Sequence, residues 1–152
     1  MNVEETLIGL GLALPDVAAP AGAYVPAVVS GNLVFTAGQL PFVDGALPAT
    51  GKVGGGVDAD AATAFARIAA LNALAAAASA IGSLDRVTRV VKVGVFVASD
   101  PSFTAQPSVA NGASELLGQV FGDEGRHARS AVGVAVLPLD SPVEVELVLE
   151  FA

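Results

Sequence analysis

One arginine stands beside the most apolar run in the second half of the chain. Arg129 is the only charged residue between Arg126 and Asp140, and it heads the run that extends from Ser130 to Pro138. A guanidinium does not lose its proton, so burial beside such a strand requires a carboxylate partner or an anionic ligand. The sequence therefore predicts that Arg129 holds an anion.

Candidate carboxylates occupy alternate positions of the next β-prone segment, residues 143–151, as Glu144, Glu146 and Glu150. If this segment pairs with the strand of Arg129 as a hairpin, facing residues have numbers that sum to about 280. Arg129 then lies opposite Phe151, not Glu144. The two residues would meet only across a subunit interface or a strongly twisted sheet, and a row of alternating glutamates is also typical of a solvated face.

Other chemistries have weaker support in this sequence. His127 is the only histidine, there is no cysteine, and no Gly-x-Ser-x-Gly segment provides a serine nucleophile. One histidine without cysteine does not favour zinc, and no Asp-rich calcium loop is present. The triplet Gly54 to Gly56 lacks the Gly-Lys-Ser/Thr ending of a phosphate-binding loop and is interpreted as a flexible lead-in to the helix that follows it.

The composition argues against two classes of partner. Fifteen acidic residues against seven basic ones give a net charge of −8, which opposes nucleic-acid binding. The mean hydropathy of +0.67 raises the question of a membrane span. The longest weakly polar stretch, residues 61–81, is mostly alanine and contains Arg67, so we interpret it as a buried helix. The acidic N-terminus does not resemble an export signal, and we expect a cytoplasmic protein.

The pattern of apolar residues and breakers predicts one α+β domain. We expect a mostly antiparallel sheet with its two main helices on one face. The predicted elements are a helix at residues 3–11, a hairpin of strands 24–29 and 33–37, a helix at 59–81 with Asp58 as N-cap, a central strand at 87–98, a helix at 108–121, and strands at 129–137 and 143–151.

Three segments together resemble the RidA/YjgF family of small trimeric proteins. They are Leu33 to Pro41, which includes Ala37-Gly38-Gln39, then His127 to Val132, and then Val143 to Glu146. The similarity extends over most of residues 24–152, here taken as a RidA-like domain preceded by an N-terminal helix and lead-in at residues 1–23. The lead-in, the Gly54 loop and the region from Asn111 to His127 are similar to the longer branch of the family, which is labelled endoribonuclease L-PSP-like or chorismate mutase-like.

This resemblance implies a fold like that of the Bacillus-type chorismate mutase and a homotrimer with clefts between its subunits. It also implies a cofactor-free hydrolysis of small 2-imino acids to 2-keto acids and ammonia. Arg129 would bind the substrate carboxylate and Glu144 would position the attacking water. Tyr24 and Gly38 would contact the substrate. His127 is not part of the family pattern, but it is a further candidate for substrate contact because it lies two residues before Arg129 in the sequence.

The chain departs from the family pattern at three positions. Ala37 stands where a serine is usual, Ala131 stands where a cysteine is common, and His127 replaces a proline two residues before the arginine. The two alanines remove polar groups and enlarge the predicted cleft. They therefore leave a second hypothesis open, in which a trimer binds a small carboxylate metabolite without converting it. A structural ion pair at a subunit interface is a further alternative for Arg129.

Overall fold

The computed structural model describes residues 2–152, so that Met1 lies outside it. Its elements follow the α+β order predicted from the sequence. They are α1 (Val3–Gly9), β1 (Ala27–Ser30), β2 (Leu33–Thr36), α2 (Ala59–Ile81), β3 (Val87–Ala98), α3 (Gln106–Phe121), β4 (Ala128–Val134) and β5 (Val143–Phe151). Short 3₁₀ turns at Leu84–Arg86, Gly122–Gly125 and Pro138–Asp140 precede β3, β4 and β5.

The five strands form one sheet in the order β1-β2-β5-β3-β4. Three of its four pairings are antiparallel, and β3 pairs with β4 in parallel. The predicted hairpin between the last two strands is therefore wrong, because β3 lies between them. The physical reason is the crossover through α3, since a strand-helix-strand connection places its second strand parallel to its first. Strand β4 also ends at Val134 instead of continuing to Leu137.

Both main helices cover the same face of this sheet. Helix α2 contacts β1, β2 and β5, whereas α3 contacts β3 and β4. The side chains that point toward them from β3 and β5 are buried valines and leucines: Val93, Val95, Val97, Val143, Val145, Leu147 and Leu149. The alternation of buried and accessible residues along β5 therefore separates a core-facing row from a row of glutamates on the opposite face.

Helix α2 has the bounds that its caps predict. Asp58 accepts a hydrogen bond from Ala61 N at 2.7 Å, and Gly82, with φ of 89°, ends the helix. Its length and a mean hydropathy of 1.6 would suffice for a membrane span, but 61% of its most apolar window is buried within the fold. Burial of that kind is typical of a core helix, and it agrees with the interpretation of residues 61–81.

A close helix contact fixes the relative position of α2 and α3. Seven alanines of α2 are fully buried: Ala62, Ala66, Ala69, Ala70, Ala73, Ala76 and Ala77. At Gly112 of α3, a Cβ atom would lie 2.0 Å from the carbonyl oxygen of Thr63 on α2. The two backbones therefore approach closely only because residue 112 has no side chain. Helix α3 begins two residues earlier than predicted, since Pro107 is tolerated in a first helical turn.

The first hairpin forms as predicted but is shorter. Ser30 pairs with Leu33 around a turn at Gly31 and Asn32, and β1 is an edge strand. Tyr24 lies outside β1, contrary to the prediction of a strand at residues 24–29. Pro26 cannot donate a backbone hydrogen bond and stands directly before the strand, while Tyr24 N donates to Gly22 O in a local turn.

The connections around this frame are ordered by local contacts. Residues 54–56 form a turn closed by the pairing of Val53 with Val57. At the other end of the sheet, α1 buries Val3 and Leu7, and Val3 N donates to Asp85 Oδ1 at 2.7 Å. The N-terminal helix is thereby attached to the turn that precedes β3.

Candidate functional site

Arg129 projects from β4 toward α3, where neutral oxygen atoms hold its guanidinium. Nη1 donates to Asn111 Oδ1 at 2.8 Å and to Ser114 Oγ at 3.1 Å, and Nη2 makes a longer bond of 3.4 Å to Pro107 O. None of these acceptors carries a charge. The three contacts fix the orientation of the side chain without neutralising it.

His127 supports this arrangement through Ser114. His127 Nδ1 lies 2.6 Å from Gly125 O, and Nε2 lies 2.9 Å from Ser114 Oγ. A carbonyl oxygen only accepts, so in the neutral imidazole Nδ1 carries the proton and Nε2 accepts from the serine hydroxyl. Ser114 can then accept from Arg129 with a free lone pair. A continuous chain of hydrogen bonds runs from Gly125 through His127 and Ser114 to Arg129.

No carboxylate of the same chain neutralises Arg129 among residues 2–152. The ion pairs within 4.0 Å in that range are Lys52 with Asp140 and Arg126 with Asp123. Within one protomer, none of the candidate carboxylates of β5 is the partner of Arg129. Arg129 is half-buried. Its Nε–H group and the second N–H group of Nη2 can still donate hydrogen bonds to an anion from outside the chain.

Glu144 lies on the other face of the sheet, at the beginning of β5. It is half-buried, and this loss of solvation raises the pKa of its carboxyl group, with a smaller contribution from the charge of Glu146. A raised pKa favours the use of a carboxylate as a proton acceptor near neutral pH. Glu144 therefore has the properties expected of a residue that positions and activates water.

Gly38 provides the space in which the Glu144 carboxylate lies. A Cβ atom at residue 38 would stand 2.1 Å from Glu144 Oε1 and 2.8 Å from its Cδ. The register explains this contact: Phe35 pairs with Val148, but pairing resumes with Gln39 opposite Val145, so the β2 side contains one extra residue. This bulge turns the backbone of Gly38 toward the glutamate.

A pocket of about 200 Å³ opens beside Glu144 and includes Tyr24 and Gly38. Tyr24 is 51% exposed, and its hydroxyl accepts a hydrogen bond from Ala21 N at 3.1 Å. Its own proton is thus available to a ligand. The structure brings three of the predicted site residues together here, namely Tyr24, Gly38 and Glu144.

The remaining predicted site residues, Arg129 and His127, belong to a different part of the protomer. Arg129 is paired with Val93 on β3, and Val93 is buried beneath the helices. Glu144 is paired with Phe96, whose side chain points away from them. The two are separated by an intervening strand, by about 10 Å along the strands and by the thickness of the sheet. The predicted site residues therefore form two separate groups in the protomer.

Sequence reasoning missed Asn111, Ser114 and Leu139. Asn111 and Ser114 are three residues apart on α3, which is the spacing of neighbours on one helix face, but nothing in the sequence shows that β4 crosses this face. Leu139 lines the pocket of Glu144 although it is 65% exposed. Among residues 2–152, no three His, Cys, Asp or Glu side chains are placed to hold a metal ion.

The fold is a five-stranded α+β sheet with its two main helices on one face. The sequence model of the family described as YjgF/chorismate mutase-like, putative endoribonuclease, matches residues 4–151. The chain therefore belongs to the YjgF family, as the sequence motifs predict.

Two relatives are similar to this chain over almost its whole length. Protein TCP17 of Trypanosoma cruzi is 50% identical over 150 residues, which are 98% of this chain and 94% of that protein. The crystal structure of Atu1372 from Agrobacterium tumefaciens, a protein of unknown function, is 44% identical with a TM-score of 0.92 and covers 99% of this chain and 92% of its own.

A more distant relative was crystallised with an amino acid. Escherichia coli TdcF with bound serine is 28% identical, has a TM-score of 0.60, and covers 91% of this chain and 94% of its own. The fold is therefore shared with a protein that binds a small carboxylate-bearing molecule.

Proposed function

We propose that this protein is a cofactor-free hydrolase that converts 2-imino acids to 2-keto acids and ammonia, in clefts between the subunits of a homotrimer. The observation that carries the proposal is the guanidinium of Arg129, which is fixed by three neutral acceptors and has no carboxylate partner among residues 2–152 of its own chain. An arginine in this state is prepared to bind the carboxylate of a substrate in a bidentate manner.

The catalytic steps require Arg129 of one subunit and Glu144 of another. Arg129 binds the substrate carboxylate and fixes the imine carbon beside Glu144. The water oxygen bonds to the carbon of the protonated imine, the π electrons of the C=N bond move to the nitrogen, and Glu144 accepts the proton that the water loses, which gives a carbinolamine. Glu144 returns this proton to the amino nitrogen. The C–N bond then breaks as the hydroxyl oxygen forms the C=O double bond and gives its proton to Glu144, which leaves ammonia and the 2-keto acid; the proton on Glu144 is released to solvent. The raised pKa of Glu144 suits these proton transfers.

Two features support assembly of the chain with copies of itself. Strand β4 is an edge strand, and its outer edge pairs with no strand of residues 2–152. The face of the sheet opposite the helices exposes apolar side chains, with Val28 at 54%, Phe35 at 42% and Val132 at 44%. A patch of this kind is typical of a protein interface. Burying it between subunits also permits Arg129 of one chain to approach Glu144 of the next.

Bound serine in TdcF supports a carboxylate ligand for this chain as well. A second function, binding without catalysis, is favoured by a different observation. Ala131 faces the same side of β4 as Arg129 and offers no polar group to a reacting atom. In that case, the trimer would bind a carboxylate metabolite without converting it. Cleavage of RNA has less support because of the charge of −8.

The test is the hydrolysis of an unstable imine. A dehydratase generates 2-aminoacrylate, which tautomerises to 2-iminopropanoate, and release of the 2-keto acid is followed with and without this protein. We expect acceleration by the unmodified protein and by Arg126→Ala, in which an exposed arginine is removed, but not by Arg129→Ala. If the unmodified protein and Arg129→Ala both give the uncatalysed rate, the protein is not a deaminase.

A further inference from the structure

The pocket beside Glu144 is more apolar than a small imino acid requires. Thirteen residues line it, and all of them except Glu144 are uncharged. The uncharged residues come from the N-terminal lead-in, the exit of β2 and the turn before β5: Ala18, Ala19, Pro20, Ala21, Tyr24, Pro26, Gly38, Gln39, Leu40, Phe42, Pro138 and Leu139. Glu144 is the only ionisable carboxylate among the thirteen. The polar end of a ligand therefore belongs near Glu144, and the rest of the pocket accepts an apolar group.

The size of the pocket sets a scale for that group. Its volume is about 200 Å³. An apolar protein cavity of about 150 Å³ binds benzene and remains free of water. A phenyl ring or a branched aliphatic side chain therefore fits, whereas a methyl group would leave most of the space to water.

One wall of the pocket is the lead-in that precedes β1. Residues 18–21 close the pocket on the side of Tyr24, and the hydrogen bond from Ala21 N to the Tyr24 hydroxyl joins the wall to the ring. Tyr24 in turn precedes Pro26, whose carbonyl accepts from Ala37 N at 2.8 Å. The wall is thus connected to the segment that carries Gly38.

Leu139 also lines the pocket, and its backbone conformation is unusual. Leu139 and Asp140 have φ values of 58° and 56°, a region that residues other than glycine rarely adopt. Two contacts hold the turn: Lys52 pairs with Asp140, and Gly51 N donates to Asp140 O at 2.9 Å. A strained turn that presents an exposed leucine to a pocket indicates a role for that leucine in binding.

We infer that the pocket binds the side chain of the substrate and that the preferred substrates are 2-imino acids with aromatic or branched aliphatic side chains. This inference rests on the proposed function, because it assigns the part of the substrate that Arg129 and Glu144 do not contact. Reactions that oxidise aromatic or branched-chain amino acids at the α-carbon produce imines of this class.

The experiment compares side chains in binding and in turnover. Calorimetric titration with 3-phenyl-2-oxopropanoate and with 2-oxopropanoate measures the affinity for the two keto-acid products. An amino-acid oxidase generates the corresponding imines from phenylalanine and alanine, with semicarbazide as a trap for imine that has not been hydrolysed. We expect the phenyl compound to be preferred by at least about tenfold in both measurements, since even small apolar groups in such pockets change specificity by about that factor.

Three variants locate the preference in this pocket. Ala19→Phe fills the pocket and Leu139→Ala removes one wall, so each should lower the ratio of phenyl to methyl affinity by about fivefold or more. Val17→Phe places the same ring in the same lead-in but outside this pocket, and the ratio should stay as in the unmodified protein.

The outcomes separate this inference from the proposed function. If neither imine is hydrolysed faster but the phenyl keto acid binds more tightly, the deaminase proposal fails and the pocket assignment stands. If both imines are hydrolysed with equal kcat/KM and both keto acids bind equally, the pocket assignment is overturned. A preference that Ala19→Phe and Leu139→Ala leave intact overturns it too. The comparison on the unmodified protein remains decisive if a variant does not fold.

Discussion

Arg129 and Glu144 lie on opposite faces of the same sheet, with β3 between their strands. Arg129 contacts α3, whereas Glu144 faces Gly38. Rotation of side chains cannot bring the two groups together in one protomer, since the sheet itself separates them. A substrate that touches both must therefore lie between two copies of the chain.

The planar guanidinium of Arg129 should not be replaceable by another cation. Arg129→Lys retains the charge but loses the fork of donors that binds a carboxylate with two hydrogen bonds. We expect KM to rise by about tenfold or more with a smaller change in kcat, because binding of the carboxylate is present in ground and transition states. Steady-state kinetics check this, with Arg126→Lys as the control. A KM equal to that of the unmodified protein would contradict the role of Arg129 as carboxylate ligand.

Ser114 should act as a positioning residue for Arg129. Ser114→Ala removes one acceptor of Nη1 and also the link to His127, and a single hydrogen bond of this kind contributes about 1 kcal/mol. We therefore expect KM to rise about fivefold. In the Arg129→Lys background the same change should have almost no effect, because the group that Ser114 positions is already lost. Ser108→Ala, on the exposed side of α3, is the control, and additive effects of the two substitutions would refute the coupling.

The absence of a side chain at Gly38 should be required for the position of the Glu144 carboxylate, and it should not be required for folding. In Gly38→Ala the new methyl group would meet the carboxylate end of a flexible side chain, which can move aside. We expect kcat to fall by about tenfold or more, since displacement by a fraction of an ångström misaligns a catalytic base. Thermal unfolding should change by only a few degrees. Gly56→Ala, where a Cβ would meet no atom within 4 Å, is the matched control. Full activity in Gly38→Ala would show that catalysis does not require Glu144 in its observed position.

The pH dependence of activity should report the charge of Glu146. Burial raises the pKa of Glu144 first, and the Glu146 carboxylate raises it further. Since the ionised form of Glu144 is the proton acceptor, kcat/KM should increase as the pH rises through this pKa. Glu146→Gln removes the like charge and lowers the pKa of Glu144, so the acidic limb of the pH profile of kcat/KM should move to lower pH. The effect of burial remains, so the midpoint of this limb should still lie at a higher pH than the pKa of an exposed glutamate. A limb that stays in place or moves upward would show that Glu144 is not the group that titrates.

Gly112 should limit the stability of the protein. Gly112→Ala places a methyl group against the carbonyl of Thr63, which is backbone and cannot turn away, so α2 and α3 must separate. We expect a loss of about 1–3 kcal/mol in the free energy of unfolding, measured by urea denaturation. Gly118→Ala lies on the same helix and meets no atom within 4 Å; there, the higher helix propensity of alanine should raise stability by up to about 1 kcal/mol. Equal effects of the two substitutions would contradict the close contact of the helices.

The elements of this fold were largely predictable because local signals agree with the tertiary structure. Asp58 and Gly82 mark the ends of α2, and the apolar strand from Val87 to Ala98 is an inner strand of the sheet, between β5 and β4. The placement of β4 was not predictable in the same way. Its position depends on the crossover through α3. Strands β4 and β5 are consecutive in the sequence, but β3 lies between them in the sheet, so consecutive strands need not be paired.

The candidate site was predictable in part, for a similar reason. The motifs around Gly38, Arg129 and Glu144 identify residues, and the structure shows that Gly38 and Glu144 are in contact. The acceptors that orient Arg129 come from α3, and no pattern in the sequence links Asn111 or Ser114 to a strand that follows them by about fifteen residues. Leu139 was missed because its contribution depends on a backbone conformation that leucine rarely adopts.

Mixed oligomers of two inactive variants test the central claim most directly. Arg129→Gln and Glu144→Gln are each expected to be inactive, since every cleft lacks one of the two groups. If the proteins are unfolded together, refolded as an equal mixture and assayed for imine hydrolysis, random assembly gives both native residues in about a quarter of the clefts when each cleft takes them from different subunits. Recovery of about a quarter of the unmodified activity is the predicted result. No recovery from fully assembled mixed oligomers would contradict a site shared between Arg129 of one subunit and Glu144 of the next.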